Sequence, residues 1–238
     1  MKIYLLSIAM LLILTACGLG DQKSLFNGKD LTGWKVMAIP EDQSFNFWKV
    51  VEGHIEANSL GNPKHDYVWL MTEKEYMDFE LNFKFQAFEE SPGNSGIQVR
   101  SRYDESTYWL NGPQIDIHPS GYWRTGMMWD ETRGLQRWIF PDLPNTEWVD
   151  STMAIGQNKM YFFEDDKNIW NEMRVIVKGL HIESWLNGEK ITDFDGTGIL
   201  DDEFHQKLDI VNKGHIAFQI HSGDELKIWF KDIYIKEI

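Results

Sequence analysis

Cross-linking is excluded by composition, since the 238-residue chain has a single cysteine, Cys17, close to its start. No intrachain disulfide can form, so the fold has to be held by its own core. Basic residues are scarce too, with 23 Lys and Arg against 37 Asp and Glu, a net charge of -14. They form no cluster, and a phosphate backbone is bound by concentrated Lys and Arg, so nucleic acid is excluded as a partner. Helix-period stretches of useful length are missing, and no internal repeat is evident. The one long apolar run, residues 3–14, is too short to span a bilayer.

That run follows Lys2 and leads into Thr15, Ala16 and Cys17, the layout of a signal peptide. Leu14-Thr15-Ala16-Cys17 resembles the bacterial lipobox, which implies cleavage before Cys17 and lipidation of that residue. Residues 1–16 are then the signal, 17–24 a short lipidated tether, and 25–238 one domain of a size that supports a sizeable core. The resemblance implies a lipid-anchored protein of the bacterial cell envelope, with the outer membrane as the expected location and the anchor as the sole membrane contact.

What is abundant is alternation. Phe79, Leu81, Phe83 and Phe85 point one way while Glu80, Asn82, Lys84 and Gln86 point the other, a strand with one buried face. Further strands are expected at 48–51, 67–71, 96–101, 114–118, 174–178, 181–186, 215–221 and 227–235, with Asn187-Gly188 as a tight hairpin turn. This frequency of strands and turns predicts an all-β, two-sheet sandwich. Residues 130–170, rich in Trp, Pro, Asn and Asp, are expected to form a long loop region folded over one sheet.

Three of these strands carry unusual polar faces. With Ile97 and Val99 inward, Gln98 and Arg100 face outward; Ile115 and Ile117 leave Gln114, Asp116 and His118; Ile216, Phe218 and Ile220 leave Gln219 and His221. Side chains with directed hydrogen-bonding geometry suit a polar floor if the strands are neighbours. A plain solvated face, with a cross-strand pair such as Arg100 and Asp116, fits the same pattern. There are eleven Trp, many beside Gly, Asn and Asp, and exposed aromatics on a polar face suit sugars. Trp123, Trp129 and Trp138 are candidates for stacking platforms or for core plugs. Asp165-Asp166 and Asp201-Asp202 offer oxygens to calcium, but without the ligand spacing of a known loop they read as solvated turns, and no cofactor or metal is expected.

Leu25-Phe26-Asn27-Gly28-Lys29-Asp30-Leu31-Thr32-Gly33-Trp34 resembles the opening signature of the 3-keto-disaccharide hydrolase family. Asn94-Ser95-Gly96-Ile97 with Arg100 is similar to its central motif, and Gly112-Pro113-Gln114-Ile115-Asp116-Ile117 with Pro119 to its glycine-glutamine-acid strand. Gly126, Asp130-Glu131, Arg133-Gly134, Trp170-Asn171, Trp185-Leu186-Asn187-Gly188 and residues 214–223 extend the likeness over essentially the whole of 25–238. Where many members have a Glu-x-Gln pair, this chain has Gln114 and Asp116, a carboxylate one methylene shorter. The resemblance implies a concanavalin A-like jelly roll and cleavage of a glycosidic bond.

A keto group at C3 of a sugar acidifies the C2 proton, and elimination then breaks the C1–O bond. This needs a base, a partner for the enolate and an acid for the departing oxygen. Under the resemblance, Asp116 or His221 serves as base, Arg100 steadies the enolate and Glu131 is the acid. Asn94, Gln98, Gln114, His118, Trp129 and Gln219 line the substrate. The alternative is a non-catalytic carbohydrate-binding surface lipoprotein, since fold does not fix activity.

Overall fold

The structure, a computed structural model, describes residues 22–146, 148–153, 161–163, 169–210 and 212–238. Cys17 and Asp165-Asp166 lie outside the described residues. Alternating runs pair into two sheets of eight strands each. In spatial order the first sheet is β14 (Glu189–Asp195), β13 (His181–Leu186), β12 (Asn171–Lys178), β6 (Phe79–Ala87), β16 (Lys227–Glu237), β4 (His54–Asn58) and β3 (Trp48–Val51), with β1 (Lys23–Ser24) also on β16. The second is β11 (Arg137–Phe140), β10 (Met128–Asp130), β9 (Pro113–Ile117), β7 (Ser95–Asp104), β15 (His215–Ile220), β5 (Val68–Thr72) and β2 (Trp34–Met37), with β8 (Trp109–Asn111) folding back on β7. Every paired strand is antiparallel. The all-β jelly-roll sandwich read from the sequence is what forms.

The inward faces make one continuous core. Leu81, Phe83 and Phe85 of β6, with Ile228 and Phe230 of β16, face Ile97, Val99, Ile115, Ile117 and Phe218 of the second sheet. Phe218 stacks on Phe230 across the gap, ring centroids 4.2 Å apart. Each such side chain contributes about 1.5–3 kcal/mol on burial, which is how the sandwich holds without a cross-link. Asn187 and Gly188 both adopt positive φ, 51° and 84°, as a two-residue hairpin turn between β13 and β14 demands.

The strands β1, β2, β4, β8, β10 and β11 and one helix lie outside the expected ranges. β11 interrupts the region expected to be loop, because Arg137-Trp138-Ile139-Phe140 pairs with β10 without an alternating pattern to announce it. A short helix, α1 (Glu203–Lys207), starts at Asp202, whose side chain accepts from the His205 backbone N–H. Asp202 is therefore a helix cap, and Asp201 accepts from the Gly198 N–H at 2.5 Å.

Candidate active site

The outward face of the second sheet carries a cavity of about 560 Å³, lined among others by Asn94, Gln114, Asp116, His118, Trp129, Glu131 and His221. Backbone register explains the convergence. Gln98 pairs with Gln114 and Gly96 with Asp116 between β7 and β9, while Trp129 of β10 pairs with Gln114. Gly96 makes room for the floor, since a Cβ there would meet the Gln114 side chain at 2.3 Å. Any larger residue would push Gln114 out of its seat. A T-shaped pair, Trp129 and Trp138 at 5.2 Å, forms one wall, and Trp148 adds an exposed rim.

Asp116 and Glu131 are both buried, and burial dominates their chemistry. Loss of solvent pushes Asp116 up to about 6, against the pull of Arg124 and of a hydrogen bond from Asn94. It pushes Glu131 up to about 7, aided by the charge of Asp116 and opposed by a hydrogen bond from Gln219. Between those values Asp116 is ionised and Glu131 carries its proton. The Arg124 Nε lies 3.3 Å from Asp116 Oδ2, and its guanidinium rests 4.0 Å over the Trp148 ring.

The two histidines are held in opposite tautomers. His118 Nδ1 receives the Gly121 N–H at 2.5 Å, so its proton sits on Nε2. Burial and Arg124 pull its pKa down to about 3, keeping the ring neutral. A Cβ at position 121 would lie 2.6 Å from that Nδ1, so the loop needs glycine there. In His221, Nδ1 donates to the Ser222 carbonyl at 3.1 Å and Nε2 accepts from the Tyr67 hydroxyl at 2.8 Å. With Nε2 already engaged and its pKa lowered chiefly by burial, His221 orients the Tyr67 hydroxyl.

Residues 21–236 match the family described as the 3-keto-alpha-glucoside-1,2-lyase-like domain. The chain belongs to this family. Among solved structures, a Parabacteroides distasonis ATCC 8503 protein provisionally named a glycosyl hydrolase superposes with a TM-score of 0.59 at 21% identity, covering 92% of this chain and 94% of its own. A second from the same organism, named in the same way, gives 0.56 at 24% identity over 91% and 99%. The carbohydrate-binding module CBM66 from Bacillus subtilis gives 0.52 at 11% identity over 86% and 96%. These likenesses are of fold. Among curated proteins, none matches the chain.

Within this lyase-like domain, four candidate site residues, Arg100, Gln98, Gln219 and Trp123, stand outside the cavity lining. Arg100 does not join the cavity. Its φ of 50° and a register shift opposite His215–Ala217 form a bulge that ends the alternation. Its side chain turns to the Met77 carbonyl at 2.9 Å, to Asp78 at 2.6 Å and to the Gly179 carbonyl, and pins β7 to the other sheet. The expected pair with Asp116 does not form, because Asp116 lies opposite Gly96. Gln98 and Gln219 do face outward, but β8 folds over them. Gln98 donates to the Leu110 carbonyl at 2.9 Å and Gln219 to Glu131 Oε1 at 3.2 Å. Trp69, Met71, Trp109, Leu110 and Ala217 seal this layer as a second apolar cluster. Gln219 thus acts through Glu131. Trp123 does not line the cavity; its indole N–H donates to the Val149 carbonyl at 2.9 Å.

Sequence reasoning missed Arg124, Tyr67, Trp148 and Asp224, all of which line the cavity. Arg124 ends the 3-10 turn Tyr122–Arg124, where strand alternation gives no direction. Behind Glu131, the buried His205 bridges Asp130 Oδ2 at 3.2 Å and Asp202 Oδ1 at 2.7 Å, fixing the end of β10. The described His, Asp and Glu atoms that converge tightly enough for a metal are those of His181, Glu183 and Asp193 on the β13–β14 hairpin. The Lys190 ammonium already bridges Glu183 and Asp193 there.

The exchange of one arginine for the other is testable. Arg124→Ala removes the cation that holds Asp116 down, so the acid limb of activity should move to higher pH and the rate at pH 6 should fall at least roughly tenfold. Arg100→Ala should leave the pH profile in place and lower the melting temperature, since it breaks a buried ion pair. A shifted profile in Arg100→Ala, with none in Arg124→Ala, would reverse the assignment.

Proposed function

We propose that the cavity cleaves the glycosidic bond of a 3-keto-disaccharide or related 3-keto-glycoside by proton removal at C2 followed by elimination. The observation that carries this reading is the convergence, in one cavity, of two buried carboxyl groups of unlike surroundings, Asp116 with the Arg124 guanidinium 3.3 Å away and Glu131 facing the Gln219 amide. Asp116 takes the C2 proton, and the C2–H electron pair becomes the C2=C3 bond of an enolate. Collapse of that enolate restores the C3 carbonyl, forms C1=C2 and expels the C1 oxygen, which Glu131 protonates. Water added across C1=C2 completes a net hydrolysis. Arg124, beside Asp116, and the His118 Nε2–H supply positive charge and a donor toward the enolate oxygen. Trp129, Trp138 and Trp148 suit the faces of the sugar rings.

The family description, a 1,2-lyase-like domain for a 3-keto-alpha-glucoside, supports elimination over direct displacement. An ordinary glycosidase would need two carboxylates flanking C1, with no demand for a 3-keto group. Incubation with a 3-keto-disaccharide and with its unoxidised parent separates the readings. Cleavage of the keto sugar alone is expected. Equal cleavage of both would favour a plain glycosidase, and binding of either without cleavage would favour a capture protein.

A further inference from the structure

A second concavity, with a volume of about 620 Å³, lies on the outward face of the first sheet. Its floor is one cross-strand row: Trp185 of β13 pairs with Arg174 of β12, Arg174 with Asn82 of β6, and Asn82 with Tyr234 of β16. Each is flanked along its strand by buried residues, so all four point away from the core. The row therefore has an aromatic ring at each end and hydrogen-bonding groups between. Three strand spacings separate the rings by about 14 Å, the length of two to three pyranose units. The cleft opens beside a bulge in β16, where Asp232 takes a φ of 51° and the register with β6 shifts.

We propose that this face is a second carbohydrate site, which takes a neutral oligosaccharide of two to three units independently of the chemistry in the second-sheet cavity. Charge selects the ligand. Arg174 is held by Glu80 at 2.8 Å and 3.2 Å, and Lys84 sits between Glu172 at 3.5 Å and Asp232 at 3.3 Å. Each of these two cations is thus matched by carboxylate, with three carboxylates in all, and neither is left free to hold an anionic partner. The same groups give a neutral polyhydroxylated ligand both donors and acceptors. The ring of Trp185 is oriented by the Arg174 guanidinium at 4.5 Å and the Lys190 ammonium at 4.9 Å, and Tyr234 is 39% exposed. The volume lies in the range of small-ligand sites.

The test is affinity electrophoresis of the whole chain in native gels containing hydroxyethyl cellulose, soluble starch, xylan, galactomannan or dextran. Retardation by at least one polysaccharide is expected, with Trp185→Ala and Tyr234→Ala each weakening it at least roughly tenfold while melting as the parent does. Trp185→Leu keeps apolar volume without a stacking face and should behave as Trp185→Ala, should the smaller residue disturb the hairpin. Absence of retardation in all five gels, or retardation unchanged in both Trp185→Leu and Tyr234→Ala, would overturn the proposal.

Discussion

Asp116→Asn is expected to lower kcat on a 3-keto-disaccharide by about 10³-fold and, at pH 8, to make the protein more stable. The activity loss follows from removing the base while leaving the amide to keep its neighbours. The stability gain follows from burial. The folded-state pKa of Asp116 is raised to about 6, so the folded form favours the protonated acid. Its contribution to stability is complete below the unfolded value near 4 and is lost as pH rises through 6. At pH 8 the native protein holds a buried carboxylate whose desolvation outweighs the attraction of Arg124. A neutral isostere removes that penalty, on the order of 1–3 kcal/mol at about 1.4 kcal/mol per pKa unit. Thermal denaturation at pH 5 and pH 8 checks this: the variant should gain at pH 8 and gain little at pH 5. A variant that loses both activity and stability at pH 8 would mean that Asp116 is a structural partner of Arg124 and not a base.

The second large effect concerns Glu131. Elimination needs Asp116 ionised and Glu131 protonated, so kcat/KM should follow a bell with limbs near 6 and 7 and a maximum between them. Because the two groups sense each other's charge, these limbs belong to the pair. Glu131→Gln keeps the acceptor for Gln219 but has no proton to give, and should lose about 10²–10³-fold on a sugar leaving group. A 3-keto-glucoside of p-nitrophenol, whose phenolate departs without protonation, should recover most of that loss and show no alkaline limb. An equal loss on both substrates would remove Glu131 from the role of acid.

Much of the architecture is legible in alternation. The β6 pattern and the inward Ile115, Ile117, Ile216, Phe218 and Ile220 place the core correctly, because period two has one meaning on a half-buried sheet. The same logic brings Gln114, Asp116 and His118 together on β9. It fails at Arg100, where a single bulged residue of positive φ re-aims the side chain, and a bulge leaves no mark on a hydrophobic pattern. It fails differently at Gln98 and Gln219, whose outward direction is right but whose exposure is not, since β8 returns over them. Arg124 and Tyr67 reach Asp116 and His221 through tertiary packing alone. Glu131, two residues beyond Trp129 at the end of β10, is found by its motif and given its acidity by burial, which the sequence does not display.

In the proposed reaction, Asp116 removes the C2 proton before the glycosidic bond breaks. A 3-keto-disaccharide carrying deuterium at C2, cleaved in ordinary water, tests it most directly by mass spectrometry of the released keto sugar. Loss of the label is expected, with cleavage slowed relative to the unlabelled sugar. Cleavage at an undiminished rate with the deuterium retained would rule out proton removal at C2.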